Sequence, residues 1–239
     1  MNYTKLNAYN LGAEKISSYD AGLRVYMISV YKYMALALAL TGFISWFVAS
    51  SPALMNAIFS GPMMWIVMLA PLAMVLFISA RFIHMSTETV KMCLWAYAAL
   101  MGVSMASIFI IYTGTSIART FFITSSVFGA MSIYGYTTKK DLSAFSSFFI
   151  MGLFGIIIAS LVNIFMQSDA ITFITSILGI AIFCFLTAYD TQNLKSIYYQ
   201  VADDAGPADK VAVFGALSLY LNFINLFMKL LYFFGDRRS

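Results

Sequence analysis

This chain is short of charge. Only 10% of its 239 residues are Asp, Glu, Lys or Arg, against 62% that are hydrophobic, too little polar surface for a soluble domain of this length to cover its core. One histidine, His84, and two cysteines, Cys93 and Cys184, leave little for metal or nucleophile chemistry. There is no His-Glu-x-x-His pair and no Gly-x-Ser-x-Gly turn. Both cysteines lie inside apolar runs and read as small packing residues. No catalytic residue and no bound cofactor are therefore expected, and the chain is not read as an enzyme. A net charge of +4 is no nucleic-acid footprint, because no segment combines clustered basic residues with exposed aromatics. Residues 1–26 are polar and of mixed charge, so nothing there is expected to act as a cleaved signal peptide.

What remains is a succession of long apolar runs. Each approaches the ~20 residues a helix needs to cross ~30 Å of hydrocarbon, and the alternating pattern of barrel strands is absent. The predicted architecture is an all-α integral membrane protein, a seven-transmembrane-helix bundle with spans at about 28–49, 63–80, 92–112, 118–136, 144–166, 171–190 and 211–234. The reading gives an N-terminal segment 1–25, one membrane domain 26–235 and a short polar tail 236–239. Short connections make consecutive spans antiparallel neighbours. The links after spans one, three and five carry no Lys or Arg, whereas those after two, four and six carry Arg81, Lys91, Lys139, Lys140, Lys195 and Lys210. Positive loops stay in the cytoplasm, which puts the N-terminus there. A seventh span that crosses fully leaves Arg237 and Arg238 outside, and a re-entrant one returns them. Pro71, inside span two, is expected to kink or locally unwind it. Ala98, Gly102 and Ala106 form a small-residue stripe suited to close helix packing.

Polar groups inside the spans are few. Asp190 closes the sixth run, which has no other charge from Thr172 to Tyr189. A carboxylate at such a place is costly and asks for a partner or a water path. Topology brings Arg81, at the end of span two, to the same face of the membrane. An Asp and an Arg that meet in a partly dry bundle offset much of each other's desolvation; otherwise both snorkel to water. Ser218, Asn222 and Asn225 fall at three- and four-residue spacing on one face of span seven, a polar stripe that either ties helices together or lines a cavity. Arg119 and Lys229 reach headgroups and are read as anchors. The Tyr189-Asp190 pair is similar to one half of an intramembrane aspartyl protease, but that chemistry needs a second membrane carboxylate.

Three segments resemble a known family. Ala188-Tyr189-Asp190-Thr191-Gln192, Tyr134-Gly135-Tyr136-Thr137-Thr138-Lys139-Lys140-Asp141-Leu142-Ser143, and the run from Gly215 to Phe227 are similar to motifs of the Bax inhibitor family, also called lifeguard or transmembrane Bax-inhibitor-motif proteins, over about residues 26–235. The resemblance implies a bacterial member, seated in the inner membrane, with the seventh helix central. It further implies a pH-sensitive leak of calcium, in which acids at the positions of Asp190 and Asn222 share a site and an Arg at the position of Arg81 pairs with the first. Calcium enters as the transported ion, held at Asp190 and Asn222, and protons and the lipid bilayer are the other partners. This chain has an amide at position 222, so the second negative charge is missing. The resemblance carries an alternative as well: a membrane binding module that modulates a membrane-bound AAA protease without transporting ions.

Overall fold

In hydrocarbon a backbone can satisfy its own N–H and C=O groups only by coiling into helices or closing a barrel. The computed structural model describes the backbone of residues 3–201 and 205–238 and the side chains of residues 20–201 and 208–238. Its elements are α1 (Tyr3–Ala49), α2 (Pro52–Phe59), α3 (Met63–Arg81) with a 3-10 turn at Phe82–His84, α4 (Thr87–Met105), α5 (Ile108–Ile111), α6 (Gly114–Thr137), α7 (Ser143–Met166), α8 (Asp169–Val201) and α9 (Ala205–Phe234). Seven stretches are long and apolar enough to cross a membrane: Asp20–Ala49, Met63–His84, Thr87–Ile111, Gly114–Thr137, Ser143–Met166, Asp169–Val201 and Ala208–Phe234. The expected all-α membrane bundle is what forms.

Local chemistry sets the ends. Ser51, Ser86 and Thr113 accept from the backbone N–H groups of Leu54, Thr89 and Ser116 and so cap α2, α4 and α6. Gln167 closes α7 with a φ of 50°, and the Asn163 side chain accepts from Ser168 N at 2.9 Å to hold the reversal. α3 runs through Pro71 without interruption, so the expected unwinding does not occur. Span three does break, at Ala106, where α4 gives way to the short α5.

Two boundaries differ from the sequence reading. α8 does not stop at Asp190 but continues to Val201, a further ~16 Å at 1.5 Å per residue. α9 is one continuous helix, and its end docks on the connection between α5 and α6. Thr113 N donates to Asp236 O at 3.0 Å, Arg238 N donates to Ile111 O at 2.9 Å, and Arg119 Nη2 donates to Phe234 O at 2.7 Å and to Asp236 Oδ2 at 3.1 Å. The seventh segment therefore runs on without turning back, and it is long and apolar enough to cross. Arg119 caps the carbonyl end of α9, a more specific task than the headgroup anchor expected of it. Lys229 lays its methylene stem near Gly179.

α9 packs against α1, α4, α6 and α8. Its most apolar stretch is 67% buried, against 6% for α7. The small-residue stripe of α4 faces α1: Ala98 and Ala106 are fully buried, and a Cβ on Gly102 would meet Thr41 O at 2.8 Å. Thr41, on α1, joins three spans. Its Oγ1 donates to Ala98 O at 2.9 Å and accepts from Tyr220 OH at 2.7 Å, while the Tyr220 ring meets Tyr97 edge-on at 5.7 Å.

Thr41→Val leaves the buried Tyr220 hydroxyl without an acceptor, whereas Tyr220→Phe leaves Thr41 still bonded to Ala98. The expected cost of the first is about 1 kcal/mol of stability, and of the second less. Denaturant titration of the purified variants checks the order; equal costs, or a larger one for Tyr220→Phe, would contradict it.

Candidate functional site

The three sequence motifs meet in space. Gly135, on α6, lies so close to α8 that a Cβ there would run into the Ala188 carbonyl, and the obstacle is backbone that cannot swing away. One turn earlier Ser132 Oγ donates to Thr191 Oγ1 at 3.2 Å, and Thr191 donates onward to Thr187 O at 2.8 Å. Gln192 clasps the α6–α7 connection at both amide atoms, accepting from Leu142 N at 2.9 Å and donating to Lys140 O at 2.8 Å. In the same connection Asp141 accepts from the Ser143 hydroxyl and backbone N–H, which hold its carboxyl below the usual carboxylate range. Gly215, on α9, fits against the Leu194 side chain of α8.

Asp190 sits at the α8–α9 seam. It is partly buried, and its Oδ2 accepts from Ser218 Oγ at 2.6 Å and from Asn222 Nδ2 at 2.8 Å. Both donors belong to α9, four residues and so about one turn apart, which sets them on one face of that helix. Asn222 is 6% exposed. An ionised carboxylate can only accept, so hydroxyl and amide donors are the neutral partners that offset its desolvation.

The sequence placed two further groups here that the structure does not bring. Asn225 turns back on its own helix and donates to Leu221 O at 2.8 Å. Arg81 is exposed at the end of α3 and makes no ion pair with Asp190. Phe82 packs on Phe214 of α9 with ring centres 4.2 Å apart, and Lys210 Nζ donates to Ile83 O at 3.1 Å, so the α3 end meets α9 about one turn before Ser218. At that end Arg81 stays exposed, where its charge costs least. Near the same end Lys91 pairs with Asp209 at 2.9 Å and with Glu88 at 3.1 Å. The calcium expected at Asp190 and Asn222 would find one carboxylate there; among the described residues no cluster of three acids, histidines or cysteines stands near enough to hold a metal.

The sequence alone does not point to Ser132, and it marks Gln192 only as the last residue of the Ala188–Gln192 motif. The signal for Ser132 is the four-residue spacing of Ser116, Thr120, Thr124, Phe128 and Ser132, all buried on one face of α6.

Gly135→Ala is expected to cost about 1–3 kcal/mol, because the added methyl overlaps a main-chain carbonyl. Thermal melting of the purified protein reads this directly, and a melting temperature equal to wild type would show that α6 and α8 are not in the close contact described.

The family model described as "Inhibitor of apoptosis-promoting Bax1" matches residues 23–239. Protein RP147 of Rickettsia prowazekii is 49% identical over 225 residues, covering 94% of this chain and 95% of that one. Inner membrane protein YbhL of Escherichia coli K12 is 46% identical over 220 residues, covering 91% and 94%. A protein of Borreliella burgdorferi is 42% identical over 215 residues, covering 90% and 93%. With the match running over nearly its whole length and its motifs interlocked around Asp190, this chain belongs to the Bax inhibitor family.

Proposed function

We propose that the chain is a pH-sensitive cation leak of a bacterial inner membrane, with calcium as cargo and Asp190 as the group on which opening turns. The observation that carries this reading is the pair of hydrogen bonds from Ser218 and Asn222 to one carboxylate oxygen deep in a span. The bonds join α8 to α9 and depend on the negative charge of their acceptor. A proton or a cation arriving at Asp190 takes that charge away and weakens the clamp. Ser218 and Asn222, rather than Arg81, are the closing partners in this scheme.

Calcium takes six to eight oxygen ligands. Asp190, the Asn222 carbonyl and the Ser218 hydroxyl supply a few oxygens and a single charge, with water left to complete the shell. Such a set suits an ion in passage better than one tightly retained. Arg81, Lys91, Lys139, Lys140, Lys195 and Lys210, all at or near the α3–α4, α6–α7 and α8–α9 turns, favour a cytoplasmic N-terminus, and the inner-membrane name of the Escherichia coli relative supports the compartment.

Reconstituted in vesicles holding a calcium dye, the protein is expected to pass calcium at a rate that changes between about pH 5 and 8. Asp190→Asn should make that rate independent of pH. Asn222→Asp sets two carboxyl groups within hydrogen-bonding distance, which must share a proton, and should raise both the calcium flux and its response to pH. Folded protein that passes no calcium at any of these pH values would overturn the leak and leave the partner-binding reading in its place.

A further inference from the structure

α1 and α6 both pack on α9 but leave a lateral cleft of about 1040 Å³ between them. That is the upper end of the range for pockets that hold an organic ligand, about 300–1,000 Å³. From Phe121 to Tyr136 the cleft follows α6 for roughly 22 Å, more than one leaflet of a ~30 Å core. Phe128 and Phe223 form its floor. Small residues keep it open: Ala35, Ala39 and Gly42 line one wall and Gly129 the other, and a Cβ at Gly42 or Gly129 would meet nothing within 4 Å.

The cleft has one charged lining residue, and it stands at one end. Arg24 lines that end, exposed and without an ion pair among the described residues. Tyr136 lines it too, and behind it Lys195 Nζ donates to Tyr136 O at 3.3 Å and lies 5.1 Å from the Tyr136 ring centre. At the other end the lining is Phe43 and Phe121. An apolar slot with a cation lining one mouth, and a second held against the tyrosine there, is the complement of an amphiphile that carries an anion at one end.

We propose that this cleft is a binding site for a single anionic phospholipid, with an acyl chain along α1 and α6 and the phosphate between Arg24 and Lys195. Acyl chains are as apolar as leucine, so the slot gains little over bulk lipid from the chain alone. Preference comes from the headgroup, as in basic pockets between membrane helices. The site also touches the Asp190 region, because Ser132 both lines the cleft and donates to Thr191.

The full chain, purified in detergent and relipidated with phosphatidylcholine vesicles containing or lacking phosphatidylglycerol, is examined by native mass spectrometry. Wild type should retain one phosphatidylglycerol in preference to phosphatidylcholine. Arg24→Ala should weaken retention about tenfold, the loss of one charged hydrogen bond. Gly129→Leu should abolish it, while Gly155→Leu, on the lipid face of α7 where a Cβ also meets nothing, should retain it. Melting in lipid-free detergent verifies that each variant is folded. Equal retention of both lipids by wild type, undiminished retention by folded Gly129→Leu, or a wild-type dimer that Gly129→Leu turns into a monomer would each overturn the proposal.

Discussion

An acid inside an apolar bundle must be answered by donors, and here both come from one face of one helix. Ser218 and Asn222 reach across the seam to Asp190 Oδ2 at 2.6 and 2.8 Å. Bonds of that length require α8 and α9 to keep a fixed register. The close contacts on either side hold that register: Gly215 under Leu194 between α8 and α9, and Gly135 against Ala188 between α6 and α8. Gln192 then ties the α6–α7 connection to the same helix. The motifs that mark the family are thus residues that make one junction possible.

Neutral partners give this junction a character different from that of an ion pair. An Asp–Arg lock holds through charge on both sides and is strongly disfavoured when one partner is lost. A carboxylate held by hydroxyl and amide donors keeps its partners bonded internally or to water once its charge is gone, so the seam can part at lower cost. The cleft between α1 and α6 lies on the other side of the same junction, joined to it through Ser132 and Thr191. Lipid chemistry and the state of Asp190 therefore meet on two faces of α6 and α8.

The spans were legible because run length and polarity decide them in a membrane, and the interior face of α4 was legible from its small-residue spacing. The depth of Asp190 was not. Thr191, Gln192 and Lys195 look like the polar end of a span, yet inside the fold they find Ser132, Lys140, Leu142 and Tyr136 as partners, and the helix continues. Arg81, exposed at the end of α3, takes no part in that seam. The stripe of Ser218, Asn222 and Asn225 divides for a related reason: an amide can bond its own preceding turn as readily as a neighbouring helix, and Asn225 does so. The Thr41–Tyr220 contact joins residues 179 positions apart through two hydroxyls in otherwise apolar surroundings, and no periodicity announces it.

The central claim is that the partners of Asp190 are Ser218 and Asn222. Infrared difference spectroscopy of the reconstituted protein, with the Asp190 carboxylate band assigned by its disappearance in Asp190→Asn, tests it most directly. The band is expected to shift in Ser218→Ala and in Asn222→Ala and to stay in place in Arg81→Ala. A band that moves only in Arg81→Ala would contradict the account.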